Sequence, residues 1–151
     1  MMQEFQRIQN TVQRFFAGVD AGDWDGVAAL MADPFHIDYS SYGGGPAAQV
    51  SPQDVLSGWK AFLPGFDAVH HQLGPLDITL EDAQALVKAH GTATHYIADV
   101  PEGSTGTIIG TYDLTLQRAE AEWLLTGMTF YFKFQSGNPA LSELAAQRAA
   151  V

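Results

Sequence analysis

The chain has 151 residues, 46% hydrophobic and 11% aromatic, enough for one domain to bury a core without metal or disulfide staples. Seven Lys and Arg against 17 Asp and Glu leave a net charge of −10, which opposes binding to nucleic acid or to an anionic membrane surface. With no cysteine, disulfides, thiolate nucleophiles and Cys-ligated zinc are all excluded.

In chain order, Phe5, Ile8, Val12, Phe15, Phe16 and Val19 recur at helical spacing and predict a first helix over residues 5–19. A break follows at Asp20-Ala21-Gly22. Asp23 is then placed to cap a second, short helix carrying Trp24, Val27, Leu30 and Met31, which Pro34 is expected to end. Phe35 to Tyr42 (FHIDYSSY) reads as a strand, followed by the loop GGGPAAQ. Ser51-Pro52-Gln53-Asp54 has an N-cap with proline at the first helical position, and opens a third helix through Val55, Leu56, Trp59, Phe62 and Leu63. Pro64-Gly65 closes it. From there the period changes to two. Strands are predicted at 67–73, 76–80, 84–98, 107–118 and 123–134, with turns at Gly74-Pro75, Glu81-Asp82 and Pro101-Glu102-Gly103. The Ala-rich tail beyond Gly137-Asn138-Pro139 is expected to lie at the periphery. Helices followed by a long antiparallel meander predict one α+β domain over 1–151, its curved antiparallel sheet wrapped around the amino-terminal helices and a pocket at the open end.

The pair His70-His71 poses the main question about that pocket, because adjacent strand side chains point to opposite faces. Val69, His71 and Leu73 form the more apolar face, so His71 is expected inside and His70 toward solvent or a subunit contact. On strand 84–98 a face of small apolar residues ends in His95, which looks inward beside unfilled space, while His90 looks outward. Ile8, Val12, Phe16 and Asp20 stand four apart along the buried stripe of the first helix, so that the line ends in a carboxylate. Such an acid needs a proton donor, and a buried imidazolium would serve. Asp20 has a second reading as a cap or an Asx-turn at Ala21-Gly22. The Ile37 face of HIDYSSY brings in Tyr39, as a functional phenol or an ordinary core aromatic. On strand 107–118 periodicity turns Gly110, Tyr112, Leu114 and Leu116 to the core, with Thr111 and Asp113 outward. No H-x-H, H-E-x-x-H, G-x-G-x-x-G, Walker or G-x-S-x-G pattern occurs, so neither a metal site nor a nucleotide cofactor is expected. Asp20, His71, His95 and Tyr39 converging on one apolar cavity make an acid–base set.

The segments G-V-D-A-G-D-W-D-G-V, H-I-D-Y-S-S-Y, V-H-H-Q-L-G and T-A-T-H-Y, within a likeness running through about residues 5–134, resemble the scytalone dehydratase family. More broadly, they are similar to the SnoaL-like branch of the NTF2-like superfamily. The resemblance implies a cone-shaped α+β barrel and carries the family's catalytic aspartate onto Asp20, its two histidines onto His71 and His95, and its water-holding tyrosine onto Tyr39. Two positions depart. The family's second tyrosine falls on Val19, and its serine and asparagine on a later strand match Thr111 and Asp113. That match would turn the polar face of strand 107–118 inward, against the periodicity. Phe16, Val19, Trp24, Thr111 and Asp113 are accordingly expected to contact substrate.

The acid–base set and the resemblance together predict a cofactor-free dehydratase (a lyase) or an isomerase acting on a small cyclic or aromatic hydroxy-ketone. In that reading Asp20 orients His95, one histidine removes a proton beside a carbonyl, and Tyr39 binds the carbonyl. The rival readings are a non-catalytic module for a small hydrophobic ligand, an epoxide-hydrolase-like activity, and a structural role like that of a dioxygenase small subunit. MMQEFQRIQN lacks the apolar core of a signal peptide and no run is long enough to span a bilayer, so a cytoplasmic protein without a membrane partner is expected. The aromatic strand 123–134 carries bulky groups on both faces and suggests that the outer sheet face meets another subunit, and the resemblance implies a homo-oligomer, a dimer or a trimer.

Overall fold

The first helix runs slightly beyond its last predicted hydrophobic residue, Val19, to Ala21. In the computed structural model, which describes residues 1–151, α1 spans Met2–Ala21 and buries Ile8, Thr11, Val12, Phe15, Phe16 and Val19. It stops at Gly22, whose left-handed φ of 69° lets its N–H reach back to the Gly18 and Val19 carbonyls. The Asp23 carboxylate caps α2 (Trp24–Ala28) by accepting from the Gly26 N–H at 3.1 Å. Because Asp23 does the capping, the Asp20 carboxylate is left for another partner.

The second helix does not reach Met31 or Pro34 as the sequence suggests. Met31 opens β1 (Met31–Asp38), drawn out of the helix because it pairs alongside Leu125 and because the Leu30 carbonyl accepts from the Leu125 N–H at 2.8 Å. Nor does β1 continue to Tyr42. The Asp38 carboxylate accepts from both the backbone N–H and the hydroxyl of Ser40, an Asx-turn that bends the chain into a 3-10 turn over Ser40–Tyr42. Within the stretch read as a loop, Ala48–Val50 forms a short β2 against β1. The Ser51 hydroxyl caps α3 (Pro52–Lys60) through the Asp54 N–H, as its sequence signature predicts.

The remaining strands are β3 (Ala68–Leu73), β4 (Asp77–Glu81), β5 (Gln84–Tyr96), β6 (Thr105–Ala119) and β7 (Glu122–Gly137). They form one sheet in the order β2-β1-β7-β6-β5-β3, with β4 pairing further along the same side of β5. The sheet is mixed rather than wholly antiparallel, since β1 runs parallel to β7. Register breaks between β6 and β7 at Ile109/Gly110 and Thr115/Leu116 are the irregularities that bend a long hairpin. The inner face carries Tyr112, Leu114 and Leu116 from β6 and Trp123, Leu125, Met128 and Phe130 from β7, all nearly inaccessible and packed with α1 in one core. The result is the α+β cone that the resemblance implies.

The tail is not peripheral. It forms α4 (Leu141–Ala149), and its small apolar face brings Leu141 and Ala145 into the core. Asn138 directs the chain there by donating to the Gly103 carbonyl at 3.0 Å and accepting from the Ala140 N–H at 2.9 Å. At the far end Arg148 pairs with Asp67 at 2.8 Å, but the two side chains are 42% and 38% exposed. Arg148→Ala is therefore expected to leave the urea midpoint nearly unchanged, as for other solvated ion pairs. A larger loss would assign the ion pair a greater part in holding α4.

Candidate active site

The space between the sheet and the helices is a cavity of about 800 Å³. Phe15, Phe16 and Val19 of α1, Trp59 and Phe62 near α3, and Met128 and Phe130 of β7 line much of it. Its polar groups are few: His71 and His95 on one wall, the phenols of Tyr39, Tyr42 and Tyr112, and Ser142 and Glu143 from α4. No Lys or Arg lines it, so nothing in the wall neutralises a carboxylate or phosphate, and the cavity suits a largely apolar, uncharged molecule.

His71 and His95 share a face because β3 pairs antiparallel with β5 in a register that sets His71 opposite Ala93 and Val69 opposite His95. The imidazoles thus stand diagonally, with ring centroids 6.4 Å apart and planes nearly perpendicular. His70 and His90 point to the outer face, as alternation requires.

Asp20 meets His71, not His95 as the sequence reading expects. Its Oδ1 lies 2.6 Å from His71 Nδ1, and its Oδ2 accepts the backbone N–H of the same residue at 2.9 Å. The reason is topological. β3 is the last strand of the sheet, so the His71 amide that faces away from β5 is free, and the last turn of α1 packs against it. His95 lies on the inner strand β5, flanked by β3 and β6. A carboxylate in the final turn of a helix sits at the negative end of the helix dipole, and the last turn of α1 offers no basic residue. Both Asp20 oxygens find donors on β3 instead. Asp20 itself lies outside the cavity wall, behind His71, where it borders an outer groove with Gln9, Gln13 and His70. With Nδ1 turned to the Asp20 carboxylate, His71 has Nε2 as its remaining polar atom, and in the neutral tautomer that donates Nδ1–H to Asp20 this atom carries the lone pair. Phe16 packs on the ring at 5.4 Å.

His95 is 7% exposed and stacked on Phe66 at 4.7 Å, with Nδ1 3.3 Å from the Gly106 carbonyl. Burial, reinforced by the neighbouring His71, holds its pKa below the usual histidine value of 6.5 despite the opposing pull of the Gly106 carbonyl and Asp20. Folding thus keeps His95 neutral where the unfolded chain would protonate it. Because the folded pKa is depressed, its contribution is fully present above about pH 6.5 and is lost as pH falls from there toward the folded value. Urea midpoints of the wild type are expected to fall on acidification from neutrality, and His95→Asn is expected to flatten that slope. Parallel pH profiles for the two proteins would contradict this account.

Tyr39 stands at the end of β1 against Phe130, and its hydroxyl donates to the Met128 sulfur at 3.2 Å. Burial raises its pKa well above 10, so it remains a donor. Phe16 and Val19 reach the cavity. Trp24 does not line it; α2 holds that side chain beyond the end of α1, with its indole nitrogen over Gly22. Thr111 and Asp113 lie on the outer sheet face, where Asp113 pairs with Lys88 at 3.0 Å and accepts from Tyr131 at 3.3 Å. Periodicity therefore decides strand 107–118, because turning those two inward would expel Tyr112 and Leu114 from the core. The same alternation that expels Asp113 admits Tyr112, whose phenol the sequence reading passed over as a core aromatic. No group of three His, Cys, Asp or Glu side chains is arranged to hold a metal ion. No helix is long and apolar enough to cross a membrane.

The sequence matches the SnoaL-like domain family over residues 2–129. No curated protein matches it by sequence. Among solved structures, the Kfla4162 protein of Kribbella flavida is similar over 99% of both chains, with a TM-score of 0.82 and 22% identity. A candidate scytalone dehydratase from Novosphingobium aromaticivorans aligns over 91% of this chain and 89% of its own, with a TM-score of 0.76 and 16% identity. The hexachlorocyclohexane dehydrochlorinase LinA-type3 of Novosphingobium barchaimii aligns over 91% of this chain and 92% of its own, with a TM-score of 0.75 and 12% identity. At these identities the likeness establishes the shared cone.

Proposed function

The chain belongs to the SnoaL-like domain family, and from that premise we propose that it is a cofactor-free lyase or isomerase acting on a small hydroxylated cyclic or aromatic ketone. The observation that carries the reading is the 2.6 Å contact between Asp20 and His71 Nδ1, which leaves the opposite nitrogen of a cavity-lining imidazole as a base. The candidate dehydratase and the dehydrochlorinase with the same fold are both named for eliminations. An elimination of this kind needs a base beside an apolar pocket and changes no oxidation state.

His71 Nε2 takes a proton from the carbon next to the substrate carbonyl, and Asp20 stabilises the imidazolium that forms. The electron pair left on carbon moves onto the carbonyl oxygen as an enolate, held by a phenol donor of the wall. On collapse of the enolate the carbon–oxygen bond to the hydroxyl at the β position breaks, and the proton on His71 leaves with it as water. In an isomerisation the same proton returns to a different carbon. Neutral His95 lies on the far side of the diagonal, where its unprotonated nitrogen accepts from the substrate hydroxyl and orients it.

The test is to incubate the protein with a panel of hydroxylated cyclic ketones in deuterated water and follow mass. Loss of water, or deuterium at the carbon next to the carbonyl, is expected for the substrate class. Ligands that bind without either change would favour the non-catalytic binding module.

A further inference from the structure

The phenol of Tyr112 has features that a simple packing role does not require. The residue is 4% exposed, its ring wedged between Phe16 at 5.2 Å and Phe130 at 4.9 Å, so its rotamer is fixed. Its backbone position opposes Ala89 across the β5–β6 register, with Gly91 its diagonal neighbour two residues along β5, and a Cβ added at Gly91 would lie 2.4 Å from Tyr112 Cε2. The small residue on β5 thus keeps room for a large ring on β6. Tyr39 donates to Met128 and Tyr42 to Gln135, yet no protein group accepts from the Tyr112 hydroxyl. Every fully buried side-chain polar atom in the chain has a partner, so that hydroxyl must open onto the cavity its residue lines. A fixed donor with nothing to donate to, on the same sheet face as the two histidines, is arranged for an oxygen that the ligand brings.

We propose that Tyr112 is the oxyanion donor of this cavity: its hydroxyl binds the ligand oxygen on which negative charge gathers, so the site selects neutral ketones and phenols that become enolates or phenolates. The inference rests on the proposed proton abstraction and deepens it. It assigns to β6, rather than to Tyr39, the principal contact with the substrate oxygen, because the Tyr39 hydroxyl already has an acceptor in Met128. Burial, and secondarily the Asp20 charge, raise the Tyr112 pKa far enough for the phenol to keep its proton throughout the neutral range and to donate rather than accept. A donor held by packing needs no reorientation when charge develops, which is what makes such a contact effective in an apolar site.

The experiment uses para-nitrophenol as a stable analogue of the enolate, titrated into the full chain while its absorption reports the phenol or phenolate form. Wild type is expected to bind it with the phenolate band enhanced at neutral pH. Tyr112→Phe, which keeps the ring and its packing, is expected to weaken binding roughly 10- to 100-fold and to shift the bound spectrum toward the neutral phenol, the scale of a lost hydrogen bond to a charged acceptor. Tyr39→Phe is expected to change affinity less than about threefold, since its hydroxyl is already engaged. Gly91→Ala keeps the Tyr112 hydroxyl but displaces its ring, and is expected to reproduce much of the Tyr112→Phe loss while its thermal transition remains cooperative. Equal binding by wild type and Tyr112→Phe, or a loss confined to Tyr39→Phe, would overturn the assignment while leaving proton abstraction by His71 standing. Failure of wild type to bind any phenol would overturn both.

Discussion

Asp20→Asn is expected to lower the rate of water loss from a reactive hydroxy-ketone by about 10²- to 10⁴-fold, with little change in the thermal transition. The substitution is nearly isosteric but changes which proton His71 carries. The carboxylate takes two donors from one residue, the His71 amide at 2.9 Å and Nδ1–H at 2.6 Å. An asparagine has one accepting oxygen. If that oxygen keeps the amide, its NH₂ group donates to Nδ1, the imidazole proton moves to Nε2, and His71 offers the cavity an N–H in place of a lone pair. Because the fault is one of tautomer, raising the pH should not restore the rate. His71→Asn should fall by a similar factor, and the double variant should be little worse than either single one, as members of one unit behave. The retained amide bond and the unaltered stripe of Ile8, Val12 and Phe16 should keep α1 in place. Turnover within a few-fold of wild type in Asp20→Asn would remove the dyad from the mechanism.

The pairing of Asp20 with His71 marks where sequence reasoning stops. Periodicity alone put Asp20 at the inner end of the helix stripe, His71 and His95 on inward faces and His70 and His90 outside, because 3.6- and 2-residue periods fix facing without knowledge of the tertiary fold. Choosing between two inward histidines requires knowing which one stands on an edge strand with a free amide, and that depends on β3 closing the sheet. The same limit explains Tyr112. It reads as core because it is core, and only the absence of an acceptor in three dimensions distinguishes its phenol. Where family likeness and alternation disagreed, at Thr111 and Asp113, alternation won, since two residues cannot turn inward without exchanging a whole face. Met31 reads as helix because a polar-poor pentapeptide after a capped helix continues the helical pattern locally, whereas parallel pairing with β7 comes from residues nearly a hundred positions away. The tail gives little sequence signal because its alanines and two leucines make only a weak amphipathic pattern, yet Leu141 and Ala145 are buried, and Ala145 closes a narrow gap against Gly65.

That narrow gap leads to the second large effect, at Gly65→Ala. The turn Leu63–Gly65 passes so close to α4 that a Cβ on Gly65 would stand only 1.8 Å from the Ala145 carbonyl oxygen and 2.5 Å from its carbon. Neither partner can rotate away, since the new carbon is fixed to one backbone and the oxygen belongs to another. Relief requires α4 to lift. Lifting it exposes Leu141 and Ala145, which are now 2% and 0% exposed, and draws Ser142, Glu143 and Ala146 off the cavity wall. The Arg148–Asp67 pair is too solvated to oppose this. We expect Gly65→Ala to cost about 3 kcal/mol in urea unfolding, the upper part of the range for overpacking, and amide exchange to rise across Leu141–Ala149 but not across β6 or β7. The bound phenol should also leave faster, because the cavity loses one wall while Tyr112 and His71, on the sheet, stay in place. A variant that unfolds like wild type, with α4 amides still protected, would mean that the turn can yield where the geometry says it cannot, and α4 would then have no part in closing the site.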